Sequence, residues 1–80
     1  MRARVFITLK PGVLDPAGKA VEKSLHTLGF AEASAVRIGK FVELDVDAQD
    51  AGAAKARVEQ MCQKLLANLV VESFKVEIQA

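Results

Sequence analysis

The sequence has 80 residues, 51% of them hydrophobic and 26% charged, with 11 Lys+Arg against 10 Asp+Glu and a formal charge of +1. That length holds one domain, spanning residues 1–80. The apolar content excludes a disordered chain, and the charge balance excludes binding driven by a polyanion. No apolar run approaches the ~18–20 residues of a membrane span, and Met1-Arg2-Ala3-Arg4 leads into an alternating segment rather than a signal-peptide core. The single cysteine, Cys62, cannot build an internal disulfide or a thiolate cluster, so the expected compartment is a reducing cytoplasm. A core of this size leaves only ~3–5 kcal/mol of net stability, and self-association or a permanent partner is the expected way to bury more surface.

The first strand is predicted from Arg4 to Lys10, with Val5, Ile7 and Leu9 on one face and Phe6 and Thr8 on the other. Pro11-Gly12 ends it. Asp15-Pro16 then reads as N-cap and first residue of a helix running to about Leu28, with Val21, Leu25 and Leu28 as its buried stripe and Gly29 as its left-handed stop. Between Val36 and Val46 two readings compete. A turn at Gly39-Lys40 gives a hairpin, whereas the shared parity of Val36, Ile38, Val42, Leu44 and Val46 gives one long bent strand; the hydrophobic pattern favours the strand. Lys40 is then its one inward misfit, Gly39 marks the bend, and the overhang offers an edge to another chain. A second helix is predicted from Asp47 or Asp50 to about Ala67, burying Ala54, Val58, Met61, Cys62, Leu65 and Leu66, with Asn68 as a left-handed stop. A last strand, Val71 to Gln79, turns Phe74, Val76 and Ile78 inward. The sum is an α+β two-layer sandwich, β-α-β(β)-α-β, in which two helices cover one face of a small, mainly antiparallel sheet that oligomerisation extends.

Reactive groups are sparse. Cys62 lies in the apolar stripe of the second helix and His26 stands alone, so neither reads as an activated nucleophile or base. One His and one Cys do not furnish a metal site, and Gly18-Lys19 lacks the spacing of a phosphate loop. No residue is assigned a catalytic, cofactor-binding or metal-binding role. Gly39-Lys40-Phe41-Val42 faintly echoes an RNA-binding strand, but Glu43, Asp45 and Glu77 on the same face oppose phosphate. Phe6 and Phe41 among mixed charges suit a protein partner instead.

Three stretches in register carry a family resemblance: LKPGVLDPAGKAV (Leu9–Val21), VRIGKFVEL (Val36–Leu44) and MCQKLLANLVVESF (Met61–Phe74). Together they resemble the PurS subunit of phosphoribosylformylglycinamidine synthase across essentially the whole chain. The resemblance implies a small non-catalytic subunit of an ATP-dependent carbon–nitrogen ligase of purine biosynthesis. That enzyme converts formylglycinamide ribonucleotide, glutamine and ATP to formylglycinamidine ribonucleotide, glutamate, ADP and phosphate. The subunit is expected to bind no cofactor itself, to bridge a PurL-like synthetase carrying ATP and Mg and a PurQ-like glutaminase, and to assist ammonia transfer as a dimer or tetramer. Lys10, Gly12, Leu14, Asp15, Pro16 and Gly18 match its first motif, Arg37, Gly39 and Lys40 its second, and Cys62, Lys64 to Asn68 and Glu72 its third; Leu69 departs from the pattern. Lys10, Arg37 and Lys40, with Phe6 and Phe41, are the candidate partner contacts, and Gly12, Asp15, Pro16, Gly39 and Asn68 the structural positions. The alternative reading is an ACT-like small-molecule-binding regulatory domain, which needs a more glycine-rich loop than Lys10–Asp15 provides.

Overall fold

A computed structural model describes residues 1–79. Strand β1 (Arg2–Leu9) is followed by helix α1 (Pro16–Thr27), strand β2 (Lys40–Asp45), helix α2 (Ala51–Met61) and strand β3 (Glu72–Gln79); a π-helical turn, Cys62–Leu66, prolongs α2. The sheet is antiparallel in the order β2-β1-β3, with Val5 opposite both Val42 and Val76. The α+β class, the antiparallel sheet and the pair of helices agree with the sequence reading.

The core lies between the sheet and α2. Ala3, Val5 and Ile7 of β1 and Val76 of β3 meet Ala54, Val58 and Cys62. Full burial of a side chain such as Val58 or Ile7 stabilises the fold by ~1.5–3 kcal/mol each. Asp50 starts α2 by accepting a hydrogen bond from the Ala53 N–H at 2.8 Å, and Ala54 lets the helix approach β1 and β3 closely.

Helix α1 is placed differently from the expectation. Asp15 caps it through the Gly18 N–H at 2.8 Å, Pro16 occupies its first turn, and Gly29 (φ +100°) turns the chain after it, all as expected. Its stripe, however, is not buried: Val21 and Leu28 are exposed and Leu25 half-buried, and none of the nine buried apolar residues comes from α1. The helix stands off the end of the sheet instead of lying on the face that α2 covers. The molecule is accordingly stretched to 49 × 26 × 14 Å with a Cα radius of gyration of 15.8 Å, where a compact chain of this length has about 12 Å.

Three local expectations are also corrected. The long bent strand favoured over Val36–Val46 is cut short: the β2 ladder begins only at Lys40, because Val36 and Ile38 give their N–H groups to the carboxylates of Glu22 and Asp15, and the alternative hairpin at Gly39-Lys40 does not form either. Asn68 is not left-handed, Ala35 (φ +53°) being the one non-glycine at positive φ among the described residues. Its side chain instead accepts from the Val70 N–H at 3.1 Å, and its carbonyl accepts from Val71 and Glu72. Leu65 is 83% exposed, because the π-helical turn rotates it out of the stripe that α-helical spacing would continue.

Candidate interaction surfaces

The three singled-out cations gather at one end of the sheet, where β1 ends and β2 begins. Lys10 donates through Nζ to the Leu69 carbonyl at 2.7 Å, and its N–H donates to Val71. Arg37 donates to the Val13 carbonyl at 2.9 Å and to the Lys10 carbonyl at 3.2 Å. Lys40 lies inward, as its parity requires. Its Nζ reaches across β1 to the Glu72 carboxylate at 3.5 Å, which also accepts the Asn68 N–H at 2.7 Å. The charges that no helix or strand needs are thus used to tie the loops together. Gly39 belongs to the same corner: a Cβ there would sit 2.6 Å from the Ile7 carbonyl oxygen. Gly12 (φ +84°) turns the chain toward α1.

Phe6 and Phe41 do pair on the outer sheet face, with ring centroids 5.0 Å apart at 30°. Around them run Arg2 and Arg4 of β1, facing Asp45 and Glu43 of β2, and an ion pair between Lys75 and Glu77 at 3.4 Å. Acidic and basic groups alternate across this face, which explains why it carries no footprint for nucleic acid.

Sequence reasoning missed two features, the first of them on the inner face. The first is an apolar slot of about 460 Å³ beside α2, floored by Val42 and Leu44 of β2 and walled by Met61, Leu65 and Leu66, with Arg57 and Lys64 at its rim. Alternation predicted the inward side chains of β2, but the π-helical turn that opens the wall has no pattern of its own. The second is Glu22. It accepts the Val36 N–H at 3.1 Å while Asp15 accepts the Ile38 N–H at 2.8 Å. Asp15, Gly18 and Glu22 share one helix face at i, i+3 and i+7, and that spacing opposite the alternating Val36 and Ile38 was the available signal. These N–H bonds, Ile38 first and Gly18 second, hold the Asp15 carboxyl below its ordinary pKa, with the Arg37 charge adding to the effect.

The two candidate reactive groups lie in separate settings. Cys62 is buried in the core, where desolvation, seconded by Glu59, pushes its thiol pKa up and away from the nucleophilic thiolate. His26, exposed on α1, holds the Ala33 carbonyl at 2.7 Å through Nε2. No group of three or more potential metal ligands occurs among the described residues, and no helix there is long and apolar enough to cross a membrane.

Fold and surface together define a small α+β domain with an open inner slot and an uncovered helix. The family model described as PurS, phosphoribosylformylglycinamidine (FGAM) synthase, matches residues 2–80, and the chain belongs to that family, a subunit of the synthase in purine biosynthesis. It is 48% identical over 77 residues to the PurS subunit of Synechocystis, covering 96% of this chain and 77% of that one. The structure of Bacillus subtilis PurS superposes with a TM-score of 0.88 at 40% identity, over 99% and 98% of the two chains. Methanocaldococcus jannaschii PurS, described as one of the subunits of formylglycinamide ribonucleotide amidotransferase, also gives 0.88, at 35% identity over 98% and 94%.

Proposed function

We propose that the chain acts as a non-catalytic joint in the cytoplasmic synthase complex. In this reading it self-associates and bridges a PurL-like synthetase, which carries ATP and Mg, to a PurQ-like glutaminase. The observation that carries the reading is the pair of complementary uncovered surfaces: an amphipathic helix held off its own sheet, and an open apolar slot beside α2. A second copy supplies what each lacks, α1 of one chain lying over Val42 and Leu44 of the other. The excess of the radius of gyration over that of a compact chain supports the same reading. A buried thiol with raised pKa and an imidazole engaged with a backbone carbonyl favour a role without bond-making.

Such a joint has a chemical purpose. Ammonia released by a glutaminase is lost as a nucleophile once water protonates it, so subunits that close around its route preserve it for the synthetase. The outer face with Phe6 and Phe41, and the corner with Lys10, Arg37 and Lys40, are the surfaces offered to those partners. The test is to reconstitute synthetase and glutaminase with and without this subunit. Glutamine-dependent turnover is expected to disappear on omission while ammonia-dependent turnover persists at least in part. Undiminished coupling between the two larger subunits in its absence overturns the reading.

A further inference from the structure

We propose that Asp15 and Glu22, seated on the N–H groups of Ile38 and Val36, form a latch that commits α1 to a second copy rather than to its own sheet. The inference rests on the self-association argued above and names what controls it.

Val36 and Ile38 have the parity to prolong β2, yet the ladder with β1 stops at Ile7 opposite Lys40. The two N–H groups that would extend it are taken by the carboxylates of Glu22 and Asp15. Gly18 makes the approach possible: a Cβ at that position would collide with the Val36 carbonyl oxygen. Arg37, between the latched residues, fixes the entry loop through the carbonyls of Val13 and Lys10. Helix α1 and the lead-in to β2 are therefore one rigid arm, pointed away from the slot.

Chain length does not impose this posture. The dozen residues from Leu28 to Gly39 reach up to about 40 Å when extended, about twice the ~20 Å length of a six-residue strand such as β2. With the latch open, α1 could lie back over Val42 and Leu44 of its own chain. The closed monomer and the exchanged dimer bury the same helix in the same slot, so the contacts that differ between them set the choice. Those contacts are the latch.

The latch is opened in two independent ways. Asp15→Asn with Glu22→Ala removes the oxygens that face the Ile38 and Val36 N–H groups, and the one amide oxygen of asparagine retains the helix cap at the Gly18 N–H. Gly18→Ala wedges both the Val36 carbonyl and the Asp15 carboxylate away from the helix while raising its intrinsic helix propensity. Each is expected to raise the dimer dissociation constant by about tenfold or more, read by light scattering, with the far-UV circular dichroism of the parent. In a Cys62→Ser background carrying Leu25→Cys and Leu65→Cys, oxidation is expected to join two chains when the latch is intact and to close within one chain when it is open. A third variant, with Gly-Ser-Gly-Ser inserted after Gly12, keeps every latch residue and is expected to remain a dimer. Latch-open variants that stay dimeric with disulfides between chains overturn the latch and leave self-association standing, as does a monomer produced by the insertion alone. A parent protein that is monomeric and forms no disulfide between chains overturns both.

Discussion

Helix α2 and the π-helical turn that prolongs it lay Ala54, Val58 and Cys62 against β1 and β3 and turn Lys55, Gln63 and Lys64 to solvent; α1, the more sharply amphipathic of the two helices, leaves Val21 and its capping Leu28 uncovered. The difference does not lie in apolar content or in capping, since each helix starts on an aspartate that accepts an N–H three residues on at 2.8 Å. It lies in what binds the flank of the helix. Carboxylates on α1 hold the strand lead-in at Val36 and Ile38, whereas no side chain of α2 beyond its cap takes a backbone N–H elsewhere in the described chain. An apolar stripe states that a face needs cover; the polar contacts beside it decide whose surface supplies the cover.

The largest effect that separates the two helices is a charge placed on each. Val58→Asp buries an unpaired carboxylate in the core and is expected to cost more than about 4 kcal/mol. That exceeds what a domain of this size spares, so the helical and strand signals in circular dichroism should vanish. Leu25→Asp, on the stripe of α1, is expected to change the stability of the single chain by about 1 kcal/mol or less while abolishing the dimer. A folded Val58→Asp protein, or an unfolded Leu25→Asp one, would mean that the roles of the two helices are misassigned.

A smaller effect is expected at Cys62. Its thiol packs in the core and titrates above the ordinary range, so Cys62→Ala should lower stability by about 1–2 kcal/mol, measured by urea unfolding, through lost packing. Glutamine-dependent turnover of the reconstituted complex should be unchanged. Alkylation of the parent protein should proceed only as fast as the core opens.

Much of this contrast could be read from residue patterns, and the remainder could not, for physical reasons. Alternation at Val5 and Ile7 and at Phe74, Val76 and Ile78 identified the two strands that carry the core, because a half-buried strand leaves a period of two. Asp15-Pro16 and Gly29 marked the ends of α1 because caps are local chemistry. The destination of α1 was not legible, since amphipathicity is the same whether cover comes from the same chain or another. Lys40 was legible as an inward misfit, but its partner Glu72 is distant in sequence and meets it only across β1. Lys10 and Arg37 looked free because no strand or helix required them; their bonds go to loop carbonyls, which every residue carries and no motif announces.

Asp15 sharpens the comparison through pH. Its carboxyl is held below the ordinary value of 3.8 by the N–H groups of Ile38 and Gly18, so the folded state binds its proton less readily than the unfolded chain does. The stabilisation is present in full well above 3.8 and is lost as pH falls through the depressed folded value. Asp15→Asn should therefore be less stable than the parent at neutral pH, by an amount that shrinks on acidification through that range. Urea midpoints at fixed protein concentration measure this. A gap that widens in acid would show that the carboxylate does not hold the latch.

The smallest effects belong to the outer face. Glu43 stands 3.5 Å from Arg4 Nε and 3.8 Å from Arg2 Nε, and Asp45 stands 3.3 Å from Arg2 Nη1. All these side chains are at least partly solvated, and such pairs contribute ~0–1 kcal/mol. Glu43 should matter more than Asp45, because it serves two arginines and because Arg4 Nε is buried with no hydrogen-bond partner, leaving the Glu43 charge as its compensation. Glu43→Gln is expected to cost about 0.5–1 kcal/mol in dilute buffer, with the part due to Arg2 fading in 1 M salt, where the screening length falls to ~3 Å. Asp45→Asn should fall within the error of the same urea titration. Equal effects from the two substitutions would assign the cost to general surface charge and remove Arg4 as the reason.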